Sequence, residues 1–259
     1  GMFSLFDTHT HLDAQEFDAD RDEVLQRAKE AGVGRFLTVG VGGGFDAARR
    51  TLPLLDAHTF IWGSVGVHPH DAKLPLEIET LRSLASHPKI VAIGETGLDF
   101  FRDWSPPALQ QEWFRAQVTL ALELGKPLII HSRNAGAQCL EVLRELHAEE
   151  VGGVFHCFSE DMEFAKRLRD INFYISIPGS VTYKNARTLQ AVVCSVPLEQ
   201  IMLETDAPYL APIPHRGKRC ESAFMLETAK AVANLKGIPL PQLADETTAN
   251  AMRLFHISE

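Results

Sequence analysis

The sequence predicts a single-domain (β/α)8 barrel of the TIM type, within the α/β class. Short β-branched or aromatic runs alternate with helical patterns along the chain, the mark of repeated βα units on a parallel sheet. Eight strand-like segments can be counted, the number that closes such a barrel. A chain of 259 residues is of the size at which α/β barrels stay undivided, and nothing in it reads as a linker or low-complexity segment.

Strands are expected at about 3–7, 34–40, 60–67, 89–94, 127–131, 152–156, 172–177 and 200–204. The clearest helix takes Ser105 as its N-cap and Pro106 as its first residue. It carries Trp113, Phe114, Gln117, Val118, Ala121 and Leu124 through three- and four-residue steps and stops at Gly125. Helices near 20–31, 137–148, 160–170, 185–195, 221–236 and 241–256 follow the same logic. One near 44–57 is interrupted by Pro53. Residues 2–259 form one expected domain, and Gly1 ahead of Met2 reads as a residue left by an expression tag.

Composition narrows the function. There is no run of 18 apolar residues, so no membrane span is expected, and the N-terminus lacks the basic and apolar regions of a secretion signal. The four cysteines (Cys139, Cys157, Cys194, Cys220) contain no CxxC pair, which suits reduced thiols in the cytoplasm. A net charge of −9 argues against a broad basic face that coats nucleic acid. A local basic mouth that admits one phosphate-bearing end remains compatible with it.

In such barrels chemistry gathers at the carboxyl ends of the strands, where loops from different strands converge. Strand one ends in Asp7-Thr8-His9-Thr10-His11, strand two in a Gly-rich turn at Gly40–Gly44, and strand three in His68-Pro69-His70. Strand four ends in Glu95, strand five in His131, strand six in His156 and strand eight in Asp206, whereas strand seven runs into Pro178-Gly179. His9 and His11 lie two apart on one strand, so both side chains share a face and can grip one cation. Asp206 would complete that first site. Glu95 suits a bridge between two metals, with His131 and His156 completing the second. Imidazoles mixed with carboxylates favour zinc, manganese, iron or nickel over magnesium for the two divalent cations. His70 reads as a loop residue, and His147, His215 and His256 as helix or loop residues.

Six segments carry a resemblance to a known family. They are Phe6–Asp13, Ser64–His70, Ala92–Asp99, Ile130–Arg133, Phe155–Ser159 and Leu203–Leu210, spread over almost the whole chain. Through them the sequence resembles the TatD-like metal-dependent DNases, a branch of the amidohydrolase superfamily of barrel enzymes. The resemblance implies metal ligation by His9, His11, Glu95, His131, His156 and Asp206. After the aspartate that family commonly reads Arg-Gly-Lys-Arg-Asn-Glu-Pro. Here the segment is Arg216-Gly217-Lys218-Arg219-Cys220-Glu221-Ser222, so Cys220 and Ser222 depart from the pattern, as does Glu160.

The implied reaction is hydrolysis by water activated at a divalent cation, with Asp206 as candidate proton acceptor and Glu95 beside it in the catalytic set. His68 would donate to a phosphate oxygen. Arg102, Arg133, Lys184, Arg216, Lys218 and Arg219, with Glu221 among them, belong to loops at the catalytic end and would attract an anion. Phe100, Phe101, Trp104 and Tyr209 are candidates to stack a terminal base. The expected partner is therefore nucleic acid or another phosphate-bearing substrate, cut at a 3′ end or in single strands. Another ester, such as D-aminoacyl-tRNA, is the alternative within hydrolases; a non-catalytic metal-binding barrel is the alternative outside them. A nucleobase deaminase is disfavoured, because Glu95 takes the bridging position and the His/Cys/Cys zinc pattern is absent.

Overall fold

A computed structural model describes residues 3–40, 44–73, 75–102 and 104–258. Eight parallel strands follow one another in chain order: β1 (Leu5–Thr10), β2 (Val33–Val39), β3 (Ile61–Val65), β4 (Ile90–Asp99), β5 (Leu128–Arg133), β6 (Gly153–Phe155), β7 (Phe173–Ile177) and β8 (Ile201–Leu203). The ends of the sheet meet: the Asp206 N–H donates to the His9 carbonyl at 2.8 Å, and the His11 N–H to that of Ala207 at 2.9 Å. The Thr8 hydroxyl adds a 2.8 Å bond to the Leu203 carbonyl. These bonds bring β1 and β8 together into a nearly closed barrel, which is the predicted fold class.

The helices are α1 (Arg21–Glu30), α2 (Phe45–Ala57), α3 (Ile78–Leu84), α4 (Pro107–Leu124), α5 (Gly136–Glu145), α6 (Met162–Arg169), α7 (Arg187–Ser195), α8 (Met225–Lys236) and α9 (Leu240–Leu254). Four details differ from expectation. Strand β4 runs on to Asp99 instead of ending at Glu95, because its pairing with β5 resumes beyond Glu95. Helix α4 starts at Pro107 with Pro106 as its N-cap, because the Ser105 hydroxyl is spent on the His70 carbonyl at 3.0 Å. Helix α3 is absent from the expected elements, having too few residues to show a helical period. Pro53 is accommodated inside α2. The Gly-rich turn expected at Gly40–Gly44 falls outside the described residues at 41–43, as do Gly1 and the domain limits at 2 and 259. No helix among the described residues is long and apolar enough to cross a membrane.

The barrel interior explains where the site lies. Phe6, Leu37, Ala92, Ile129, Val154 and Met202 form one buried cluster with Phe255 and Ile257, which follow α9. Side chains along a strand alternate faces, so the residue two positions beyond an inward one also points inward. Ile129 therefore leads to His131, Val154 to His156 and Met202 to Glu204. The larger core, between strands and surrounding helices, supports this inner layer from outside.

Candidate metal centre

Two of the site residues sit where the strand pairing slips. In β4, Gly94 opposes Ile129 and Thr96 opposes Ile130, which leaves Glu95 as an extra residue. In β1, Asp7 pairs with Phe36 and Thr10 with Thr38, so Thr8 and His9 face a single residue. Such bulges re-aim a side chain, and these turn His9 and Glu95 toward one another across the barrel. Glycine makes the room: a Cβ on Gly94 would lie 2.6 Å from Ile129, and one on Gly97 would lie 1.9 Å from the His131 carbonyl oxygen.

The six expected residues converge. One Glu95 oxygen lies 3.1 Å from His131 Nδ1, 3.2 Å from His156 Nε2 and 3.4 Å from His68 Nε2. Its other oxygen lies 3.4 Å from His9 Nε2. Asp206 Oδ1 is 3.0 Å from His11 Nε2 and 3.7 Å from His9 Nε2. Two groups that could hold an ion result, His9–His11–Asp206 and His9–Glu95–His156, with a third at His68–His70–His131.

The outward nitrogens of these rings are already committed. His11 Nδ1 lies 2.6 Å from the Val39 carbonyl, which can only accept, so that nitrogen carries the proton. His156 Nδ1 lies 3.0 Å from Glu204, and His131 Nε2 lies 2.8 Å from Asp99. Each neutral ring then aims a lone pair at a carboxylate, an arrangement that needs a cation between them, either a proton or a metal. His9 sharpens the point, since both its nitrogens are buried with no hydrogen-bond partner. The donor set thus fits divalent cations, with outer carboxylates and a carbonyl orienting the rings as metal sites require.

The electrostatics agree. Burial would raise the Glu95 carboxyl, but the imidazoles of His156, His68 and His9 and the His131 hydrogen bond hold it well below the usual range. Burial likewise opposes charge on His11, yet the Asp206 carboxylate lifts it to about 9. Glu204 and Glu95 do the same for His156, which stands well above its ordinary value. Burial dominates at His68 and His9 and lowers both. Asp206 is held low by His11 against its own burial, and it adopts a left-handed backbone with φ 60°. That conformation costs roughly 1–3 kcal/mol outside glycine, offset here by the Asp206–His9 backbone bond.

A cavity of about 610 Å³ opens above these groups, lined by His11, Glu95, His131, His156 and Asp206 together with His68, His70, Arg102, Trp104, Arg133 and Tyr209. The expected substrate cations divide. Arg102 and Arg133 reach the lining; Lys184, Arg216, Lys218 and Arg219 do not. Arg219 makes a two-pronged contact with Asp20 at 2.7 and 2.8 Å, and Glu221 accepts from Arg27 at 2.8 Å. Their charges are thereby used to tie the loop after β8 to α1. Arg216 lies 3.8 Å over the Tyr183 ring, and Lys184 and Lys218 are exposed. Phe100 packs against the core rather than the cavity.

Sequence reasoning missed three participants. His70 meets Asp99 at 2.7 Å and stands against His68 and His131. Asp99 and Glu204 are fully buried carboxylates at strand ends that hold ligand-type histidines. The signal for both was their place in the strand-end motifs, read there without a role. The departure at Ser222 also finds a reason: its hydroxyl donates to buried Asp7 at 2.7 Å, alongside Thr205. Burial pushes the Asp7 carboxyl up to about 7 even against those bonds.

A parallel barrel with histidine and carboxylate clusters at the carboxyl ends of its strands is the arrangement of a metal-dependent hydrolase. Within that class, the family model of TatD-related DNases matches residues 6–256, and the chain belongs to that family. It is 42% identical over 258 residues to the uncharacterized metal-dependent hydrolase YabD of Bacillus subtilis, covering 98% of this chain and 100% of that protein. To the 3′-5′ ssDNA/RNA exonuclease TatD of Klebsiella pneumoniae it is 34% identical over 260 residues, with 98% of each chain covered. The crystal structure of YJJV, a TatD homologue from Escherichia coli, superposes with a TM-score of 0.92 at 28% identity over 100% of both chains.

Proposed function

We propose that the protein is a two-metal phosphodiesterase that removes nucleotides from the ends of single-stranded nucleic acid. The observation that carries this reading is the placement of Arg102 and Arg133 in the same cavity as Glu95, His131 and Asp206, inside a chain that is acidic overall. Guanidinium groups match phosphate in geometry and charge, and an acidic surface elsewhere confines the anion to this mouth. The name of the Klebsiella relative points the same way. The unpaired cysteines suit the cytoplasm, to which we assign it.

His9, His11 and Asp206 would hold one divalent cation and His131 and His156 the other, with Glu95 between them. Bound there, such cations polarise the phosphoryl oxygen and make water acidic enough to attack at neutral pH. The chain's own groups do the rest. His68 accepts the His70 N–H on Nδ1 at 3.0 Å, so its neutral ring presents the Nε2 proton to the cavity. That proton is placed to hydrogen-bond a phosphoryl oxygen. Asp206, partly open to the cavity, takes the proton from the attacking water and passes it to the leaving oxygen.

The outer carboxylates are expected to matter for metal retention. Glu204→Gln keeps an oxygen for the Cys157 N–H, 3.0 Å from the native carboxylate, but removes the charge that favours the His156 Nδ1 proton. Metal affinity should fall roughly 10- to 100-fold with little change in thermal stability of the metal-free protein. Competition against a fluorescent chelator measures the first, and a melting curve the second.

The substrate is tested by presenting metal-reconstituted protein with single-stranded DNA, duplex DNA, abasic-site DNA and D-aminoacyl-tRNA in parallel. Single-stranded DNA should be degraded fastest, with an affinity that falls as salt rises. Arg102→Ala combined with Arg133→Ala should raise KM and flatten that dependence by about one unit of log–log slope for each phosphate no longer held. Preference for the aminoacyl ester, or a slope unmoved by the double substitution, would refute the nuclease reading.

A further inference from the structure

We propose that Trp104 and Phe101, with Arg102 and Arg133, form a seat for an unpaired nucleotide at the rim of the metal-centre cavity. The base stacks on Trp104 while the guanidinium groups take the flanking phosphates; the inference rests on the nucleic-acid reading above. Trp104 is 61% exposed and Phe101 52%, among the most exposed large apolar side chains described. Rings of that size left in water mark a binding surface when they cluster. These two share one short loop after β4.

The described residues of that loop are tied down on both sides. One Asp99 oxygen accepts the N–H groups of Phe101 at 3.0 Å and Arg102 at 2.8 Å, while the other holds His70 and His131. Ser105 bonds the His70 carbonyl, and the His70 ring meets Trp104 edge-on at 4.5 Å. One buried carboxylate thus sets both a metal-centre histidine and the backbone that displays the aromatic rings. The seat therefore lies beside the Glu95–His131 half of the site, not on a remote surface.

Cations complete it. The Arg133 guanidinium stands 3.8 Å from the Phe101 centroid, and Arg102 stands 5.2 Å from that of Trp104. Alternating aromatic faces and guanidinium groups are what a single strand needs, since each nucleotide offers one base face and one phosphate. Bases within a duplex have both faces covered by neighbours and cannot use Trp104. Across the cavity Tyr209, 46% exposed and edge-on to His11, supplies the opposite wall.

The test titrates the metal-loaded Asp206→Asn protein with a thymidine oligonucleotide and with an abasic deoxyribose-phosphate chain of equal length. Tryptophan emission and affinity are followed together. Thymidine bases should quench emission, and Trp104→Leu should abolish the quench and weaken oligonucleotide binding roughly 10- to 100-fold. Trp104→Phe should restore most of the affinity, and Phe101→Leu should weaken binding in the same direction. The abasic chain should bind through its phosphates without quenching and respond less to Trp104→Leu. Equal losses on both chains, or no loss on either while the parent protein binds, would overturn the seat alone. A parent protein that binds neither chain would overturn the nuclease reading and the seat with it.

Discussion

Glu95→Gln is expected to strip the protein of both metals and lower activity by about 10³-fold or more, a larger effect than any substitution in the substrate loops. The two Glu95 oxygens face different partners: one lies among His131, His156 and His68, the other opposite His9. A carboxylate can serve a cation on each side. An amide keeps one acceptor oxygen, loses the negative charge, and would place an N–H2 group where a cation would bind. The amide would also leave the charge of cations bound there uncompensated in a buried space. Elemental analysis after dialysis should find less than one metal per chain, with circular dichroism unchanged because the bulge at Glu95 is backbone-determined. Full occupancy of two metals in the variant would show that Glu95 is not shared between them.

The second large effect is expected at Asp206. Asp206→Asn should reduce kcat by roughly 10²–10⁴-fold while KM for single-stranded DNA stays within a few-fold. Asp206 faces the cavity and lies 3.0 Å from His11, close to one candidate ion position but away from Arg102 and Arg133 on the opposite rim. The substitution removes a proton acceptor and one anionic ligand and leaves the phosphate-binding groups in place. Its loss should therefore fall on turnover. Metal content must be measured alongside, because a variant that merely lost one ion would regain rate on adding excess metal. An Asn variant that turns over at the parent rate would exclude Asp206 as the base.

Much of this architecture was legible in the chain. The strand count and order follow from alternating periodicities, and the observed strand limits stay within a few residues of expectation except in β4, which is expected to end at 94 and ends at Asp99. The six ligand-type residues stand out because each is read at the end of an expected strand, where a barrel gathers its chemistry, although β4 runs on to Asp99 and leaves Glu95 inside it at the bulge. The helix from 78 to 84 was not legible, since seven residues contain too little repeat to distinguish a helix from a turn. The start of α4 lies one residue beyond its expected place because Ser105 satisfies a carbonyl 35 positions earlier, a contact with no local signature.

The division in the substrate set has the same origin. As charges in a sequence, Arg102, Arg133, Arg216 and Arg219 look alike, and all follow expected strands. Only three-dimensional proximity shows that Asp20 neutralises Arg219 and Arg27 takes Glu221, whereas Arg102 and Arg133 keep the cavity. Asp99 and Glu204 became meaningful for the same reason, each by facing a histidine from another strand. Periodicity and residue type are carried by neighbours in the chain, so the sequence alone determined the barrel, its catalytic end and the candidate ligands. Ion pairing and hydrogen bonding depend on which distant groups come within about 3 Å, and bulges depend on how two strands register. The tertiary structure therefore decided which cations stay free for substrate, which carboxylates orient the histidines, and how His9 and Glu95 are turned to face one another.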